Sequence, residues 1–541
     1  MKKNAKIVLI LLLIFGTAVT FAIMAHKDFD FKSPRVSNTD VTVSDLIKNQ
    51  ESALFNEEIS LEVGASYTCT TTSDEKIQWS SSNETVATVT SDGKITAVAQ
   101  GEAVITAYVS DQVKIKVKVT VYIDAKESVI NLITNLAKNG DDDAYNELIT
   151  LENQLSASKD DLSKKYAALL TALLDYSQSG AGENKDSDEL WNALISAFNN
   201  AGIDDISKNT LRRAALSAYC HGEKSVSDIT ISFTGDCTLA YFNDIDKEGM
   251  FPDVYRKSGS VSYPFDLIKN VFGADDITMI NFEGTLTEST EHRDKQFFFR
   301  GEPSYVNILT NSSVEAVTLE NNHSFDYLDK GFNDTLKNLS RSGIRYTCLT
   351  SPSVIKSGEY RTVMLSLSLV STTYRPEFQK RIEKYISKYK DDKTVIVINV
   401  HWGVESSDTP EQWQIEAAHS MIDAGADLII GHHPHVLQGI EQYNGKYIAY
   451  SLGNFSFGGN NSVSNPNTII LRTSFSHSDE GMKLDSISAV PCHTTSTGTK
   501  VNNYQPIVRF GDNGSSTISS LLSLSEKLDG GIKTIKWNKI K

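Results

Sequence analysis

The stretch Ala426-Asp427-Leu428-Ile429-Ile430-Gly431-His432-His433-Pro434-His435 decides how the chain is read. Its first half is a short apolar run closed by Gly431, which is the pattern of a buried strand. Its second half crowds three histidines into the loop that follows. Open α/β sheets gather their ligands at the carboxyl ends of their strands. His433 and His435 are alternate residues and can aim two imidazoles at one point. Neutral imidazole suits Zn, Fe, Mn or Ni. An exposed polar loop would account for an isolated pair of this kind, so the weight rests on what lies upstream.

Four more apolar runs end the same way. Ile229-Thr230-Ile231-Ser232-Phe233 leads to Thr234-Gly235-Asp236, and Ile277-Thr278-Met279-Ile280 leads to Asn281-Phe282-Glu283. Val314 to Leu319 runs into Glu320-Asn321-Asn322-His323, and Thr394 to Val400 ends at His401-Trp402-Gly403. Taken singly, a strand-end Asp is often a helix cap and a lone His is often structural. Five such ends in one chain point instead to a shared centre. Carboxylates and imidazoles together are the donor set of one or two divalent transition metals, Mn, Fe or Zn, which activate water and clamp the attacked group.

The chain has 541 residues, 40% of them hydrophobic, so several domains with real cores are expected. A net charge of −16 argues against a nucleic-acid partner. It leaves an anionic substrate open, because a bound cation reverses the local field. Five scattered cysteines without CxxC spacing give neither a zinc knuckle nor a disulfide framework.

Lys2, Lys3 and Lys6 precede an apolar run from Ile7 to Ala25. That run is close to the ~20 residues that cross a bilayer as a helix. It is long for the core of a signal peptide and lacks an A-x-A site, so an uncleaved anchor is favoured over cleavage. The basic flank stays cytoplasmic and the bulk of the chain lies outside the cell membrane. Residues 1–27 are read as cytoplasmic stub and transmembrane helix, and 28–42 as a linker.

Residues 43–122 read as a small β-sandwich. Ser91-Asp92-Gly93-Lys94 marks a hairpin between Thr85–Val89 and Ile95–Val98, and Val113 to Val119 alternates strictly. With Trp79-Ser80-Ser81-Ser82-Asn83 and Gly101, this segment resembles the group 2 bacterial immunoglobulin-like domain, a module that serves as a spacer or adhesive unit. Residues 124–222 have helical spacing, as in Leu162, Tyr166, Leu169, Leu170 and Leu173, and read as three to five helices in a bundle or stalk.

From 228 onward the motifs fall in a familiar order. Gly235-Asp236, Asn281-Phe282-Glu283-Gly284, Asn321-Asn322-His323 with Asp326, His401-Trp402-Gly403-Val404-Glu405, Gly431 to His435 and Gly453-Asn454-Phe455 resemble the CapA-type capsule (poly-γ-glutamate) synthesis family of the calcineurin-like metallophosphoesterase superfamily. The resemblance spans about residues 228–460 and implies an α/β/β/α sandwich in a multidomain chain; alternating runs beyond Asn460 read as strands that extend the domain over 228–512, and 513–541 reads as a C-terminal tail of one helix and a basic end. It implies that Asp236 and His435 bind a first metal, that Glu283 bridges, and that Asn322, His401 and His433 bind a second. His323 matches the general acid. The superfamily often has Asp-x-His where this chain has Asp236-Cys237-Thr238, so the first position lacks one ligand. Lys295 and Arg300 are candidate substrate cations, and Asn454 is a candidate for orienting a ligand or closing the pocket rim.

Function follows as an expectation: a metal-dependent hydrolase or transferase acting on an envelope polymer such as poly-γ-glutamate, working beside membrane capsule-synthesis proteins. The competing expectation is a non-catalytic component that holds or routes the polymer.

Overall fold

The computed structural model describes residues 56–69, 77–108, 114–122, 124–158, 160–181, 187–348, 350–370 and 374–540. The expected transmembrane run Ile7–Ala25 and the 28–42 linker lie outside them. No helix among the described residues is long and apolar enough to cross a membrane.

Two compact units are present. The first takes the described residues up to Val129 together with Asn153–Lys164. Its β-part has a four-stranded sheet, Asn56–Glu62, Lys114–Tyr122, Gly101–Tyr108 and Gln78–Ser81, in that order. A three-stranded sheet orders Ser66–Thr68, Lys94–Ala97 and Ala87–Val89. The expected hairpin is there: Ala87 faces Ala97 and Val89 faces Ile95, with Gly93 at φ 80° in the turn. Alternation buries Ile105, Val117, Val119 and Ile95.

The second unit holds residues 130–152 and everything from Lys165 onward. Five helices are seen between Ala125 and Lys224: Ala125–Lys138, Asp142–Ser156, Asp161–Gly180, Ser187–Ala201 and Lys208–Lys224. Most of this stretch belongs with the sandwich rather than forming a free stalk. The reason is a buried charge. Arg472, 1% exposed, lies on the strand Asn467–Ser478 and donates through Nε to Glu223 Oε2 at 2.8 Å. Its other nitrogens reach the carbonyls of Cys220, Val271 and Ala274. A sequence pattern does not show a pairing across such a separation.

The sandwich has two sheets. One orders Arg345–Thr347, Ala316–Thr318, Ile277–Phe282, Ile229–Thr238, Asn467–Ser478, Gly481–His493 and Ile507–Val508, and Asn454–Phe457 also pairs with Ile229–Thr238. The other orders Ser353–Ser357, Tyr360–Ser368, Thr394–His401, Leu428–His432, Lys446–Ala449 and Ile440–Tyr443. Alternate residues explain the layering. On Thr394–His401, Val395 and Val397 join Ile229, Ile231, Phe233 and Met279 between the sheets. Ile396, Ile398 and Val400 face the other way, against Ile382, Ile386, Ala417 and Met421 of the helices Pro376–Tyr389 and Gln412–Asp423. Every residue of that strand is buried, as both-faced cover of a parallel strand requires. Each such Val or Ile contributes about 1.5–3 kcal/mol by burial.

The C-terminal tail expected over 513–541 is instead part of the core. The helix Gly511–Ser525 places Ile518 and Leu521 between the sheets, and Ile532 N donates to Ile440 O. Its serine-rich sequence masks a single apolar stripe.

The strands that end in candidate residues are parallel, so their carboxyl ends meet at one edge. Ile277–Phe282 runs parallel to Ile229–Thr238 with Asn281 beside Asp236, and parallel to Ala316–Thr318. Thr394–His401 runs parallel to Leu428–His432 with His401 beside His432.

Candidate metal centre

Asp236 is fully buried, and its surroundings define the centre. Gly235 makes this possible: a Cβ there would fall 1.9 Å from the Gly453 carbonyl oxygen, which itself accepts from Asp236 N at 2.8 Å. Asp236 Oδ1 accepts from Asn281 Nδ2 at 2.8 Å, and Oδ2 lies 3.0 Å from His435 Nδ1. His432 Nδ1 stands 3.4 Å from Oδ1. Burial opposes ionisation of Asp236, but His432 and His435 overcome it and hold the carboxyl well below its usual range.

Glu283 is also fully buried, and neither of its carboxylate oxygens has a hydrogen-bond partner. Burial, then the neighbouring charge of Asp236, raises it to about 8. Two orphaned carboxylate oxygens in a protein interior are costly unless a cation meets them. His323 Nε2 at 3.7 Å and His401 Nε2 at 3.9 Å flank Oε1. Burial lowers the His435 imidazole, yet Glu283 and Asp236 raise it to about 9.

The second group of expected ligands closes on the same point. His401 Nε2 is 2.8 Å from Asn322 Oδ1, and its Nδ1 is held at 3.3 Å by Asn281 Nδ2. The His401 and His433 rings are 4.8 Å apart. Burial keeps His401 well below its ordinary value and, with His435, takes His433 to about 4. His433 Nδ1 is buried without a partner. His433 and His435 sit at φ 98° and 60°, a conformation that costs non-glycine residues about 1–3 kcal/mol each and collects at functional sites.

These residues fit a metal. Donor atoms of Asp236, Glu283 and His435 lie within 4.8 Å of one another, close to the span that two bonds of ~2.0–2.2 Å reach. The outer residues orient the inner ones, as metal sites require. Asn454 Oδ1 is 2.9 Å from His435 Nδ1, so Asn454 orients this histidine.

His323 is backed by Asp326: Oδ2 lies 2.7 Å from Nδ1. Burial lowers its pKa despite that carboxylate. Lys295 Nζ donates to Asp326 Oδ1 at 2.7 Å and to Asn322 O at 3.0 Å. It therefore braces the His323 loop rather than standing free for a substrate. Arg300 is turned toward Asp244, at 2.8 Å, and over the Tyr241 and Tyr327 rings. Cys237 is buried with Sγ beside Thr234 Oγ1 and Gly235 O, away from a ligand role.

Three working residues were not assigned from the sequence. Asn281, two before Glu283 and so on the same face of its strand, links Asp236 to His401. Asn321 donates to Asn281 Oδ1 at 3.1 Å and to Phe282 O at 2.8 Å. Glu405 brings a carboxylate within 4.8 Å of donors on His433 and His435. Its motif was visible, but an exposed Glu gives no signal of which loop it faces.

Comparison with known proteins finds relatives for two parts of the chain. Residues 230–459 match the family described as bacterial capsule synthesis protein PGA_cap, and residues 47–121 match the bacterial Ig-like domain (group 2). Over residues 230–459 the chain is similar to the CapA-type capsule synthesis proteins. The domain is 30% identical over 256 residues to the PGA biosynthesis protein CapA of Bacillus subtilis (strain 168), covering 43% of this chain and 65% of that one. It is 29% identical over 245 residues to the capsule biosynthesis protein CapA of Bacillus anthracis, covering 41% and 59%. The chain thus spans less than two thirds of the length of either relative. The matched stretch, residues 230–459, contains every residue of the centre described above.

Proposed function

We propose that this is a membrane-anchored extracellular protein of capsule or poly-γ-glutamate biosynthesis whose sandwich holds a metal-dependent hydrolase or transferase centre. The observation that carries the reading is Glu283, buried with both oxygens unpartnered between Asp236, His323, His401 and His435. A bound Mn, Fe or Zn supplies Lewis-acid polarisation of the attacked group and a water acidic enough to attack near neutral pH.

The chain's own residues do the rest. Asp326 accepts from His323 Nδ1–H, which leaves Nε2 facing the centre; it would give a proton to a leaving group once it has itself taken one up to form the imidazolium. Lys295 offsets the Asp326 charge. Asn281 and Asn454 fix the His401 and His435 rings. The relatives' names, a PGA biosynthesis protein and a capsule biosynthesis protein, support an anionic envelope polymer with amide or phosphoester linkages as the substrate class. The basic residues before Ile7 and the apolar run to Ala25 support the anchor.

The test is elemental analysis of the purified chain beside a His433→Ala/His435→Ala variant. About one or two equivalents of Mn, Fe or Zn, lost in the variant, are expected. An assay on poly-γ-glutamate and on a phosphodiester follows. A folded chain that takes up no metal under several loading conditions overturns the enzyme reading and favours polymer binding without chemistry.

A further inference from the structure

Glu405 lies on the loop between His401 and the helix Gln412–Asp423. It is exposed, and an exposed glutamate is ordinarily just solvated surface. Its loop, however, is fastened to the histidine loop at three points. Trp402 N donates to His432 O at 3.0 Å, and Ser406 N donates to Pro434 O at 2.8 Å. Gln438 Nε2 donates to Ser407 O at 2.9 Å. Pro434 is the residue between His433 and His435, so the middle bond sets Glu405 against that pair. The loop accepts strain at Ser406, which has φ 63°, while Gly403 at φ 87° takes a turn that a glycine adopts freely. A Cβ on Gly403 would fall 2.7 Å from the Gln414 amide.

The donors on Glu405, His433 and His435 lie within 4.8 Å of one another. His433 is 4% exposed and its Nδ1 has no hydrogen-bond partner. A buried imidazole nitrogen left bare beside a carboxylate and a second imidazole is what a cation would satisfy. Two histidines and one glutamate, with the remaining side open to solvent, make a ligand set used by catalytic zinc, which keeps a free position for water or substrate. Carboxylate with imidazole also suits Mn and Fe(II).

We propose that Glu405 is a metal ligand of this centre, forming with His433 and His435 an outer, solvent-facing cation position beside the buried trio of Asp236, Glu283 and His435. The proposal rests on the metal-centre reading above and adds to it. His435 is common to both trios, and with its Nδ1 held by Asn454 and Asp236 it has one nitrogen for one cation, so the two positions compete for it. The outer position is the weaker, since its carboxylate must be drawn from water whereas Glu283 is already desolvated.

The experiment is a titration of the metal-free full-length chain with Zn alone, against a chromophoric chelator. Wild type is set beside Glu405→Gln, Glu283→Gln and His435→Ala, with circular dichroism melting as the control for folding. Glu405→Gln is expected to lose or weaken by at least tenfold the weaker of the bound equivalents and to keep the tighter one. Glu283→Gln should do the reverse, and His435→Ala should weaken both. A Glu405→Gln chain that matches wild type in equivalents and affinity overturns the proposal while leaving the metal centre standing. A folded wild-type chain that binds no Zn overturns the metal centre itself, and this position with it.

Discussion

Asp326 Oδ2 sits 2.7 Å from His323 Nδ1, and both side chains are buried. The carboxylate is itself tied to Phe299 N at 2.8 Å and to Lys295. This fixes which imidazole nitrogen faces Glu283. Asp326→Asn should therefore leave metal content at the wild-type level while lowering phosphodiester turnover about ten- to a hundredfold, mainly in kcat. Elemental analysis and steady-state kinetics on the same preparation check it. A parallel loss of metal would show that Asp326 holds the site together rather than His323.

Arg472 and Glu223 form a buried pair with few alternatives for either charge. Arg472→Met should cost about 3–5 kcal/mol, because Glu223 and Asp275 remain buried without their cation. The chain has two compact units, so urea unfolding should show the loss in the transition of the sandwich unit and not in that of the β-unit. Equal shifts in both would contradict the assignment of the Lys208–Lys224 helix to the sandwich.

His221 gives the sandwich unit a pH dependence. Its Nε2 is 2.9 Å from Gly140 O, its ring stacks on Tyr145 at 4.3 Å, and Asp142 and Lys224 lie nearby. Burial lowers it to about 4, against about 6.5 when unfolded. Between those values the unfolded chain binds more protons, so stability rises with pH there. The contribution is complete above about pH 6.5 and is lost as pH falls toward 4, on the order of 3 kcal/mol. His221→Gln should flatten that part of the stability–pH curve. An unchanged slope would exclude His221 as its source.

Gly235→Ala tests the approach of two backbones under Asp236. The added methyl would meet the Gly453 carbonyl, and the strand must shift to admit it. A loss of about 1–3 kcal/mol is expected, as for overpacking elsewhere, with a fall in bound metal because Asp236 moves. Melting temperature and metal content together check this. Full metal content with wild-type stability would mean that the strand ends tolerate more freedom than their geometry suggests.

The sequence by itself determined the strands, the direction in which they end and the chemistry of their ends. Val395 to Val400 is a short β-branched run that reads as a buried strand, and Asp236, Glu283, His401, His433 and His435 follow their runs closely. That information is local, because a period of two and a terminal Gly are properties of neighbouring residues. Only the tertiary structure decided that Lys295 pairs with Asp326, that Arg300 turns to Asp244, that Arg472 binds the helix carrying Glu223, and that Glu405 faces His433. Each of these is a choice of partner by a long, charged side chain. Such a choice depends on which carboxylate or carbonyl the packed backbone brings within about 3 Å, and no pattern of neighbours along the chain contains that distance.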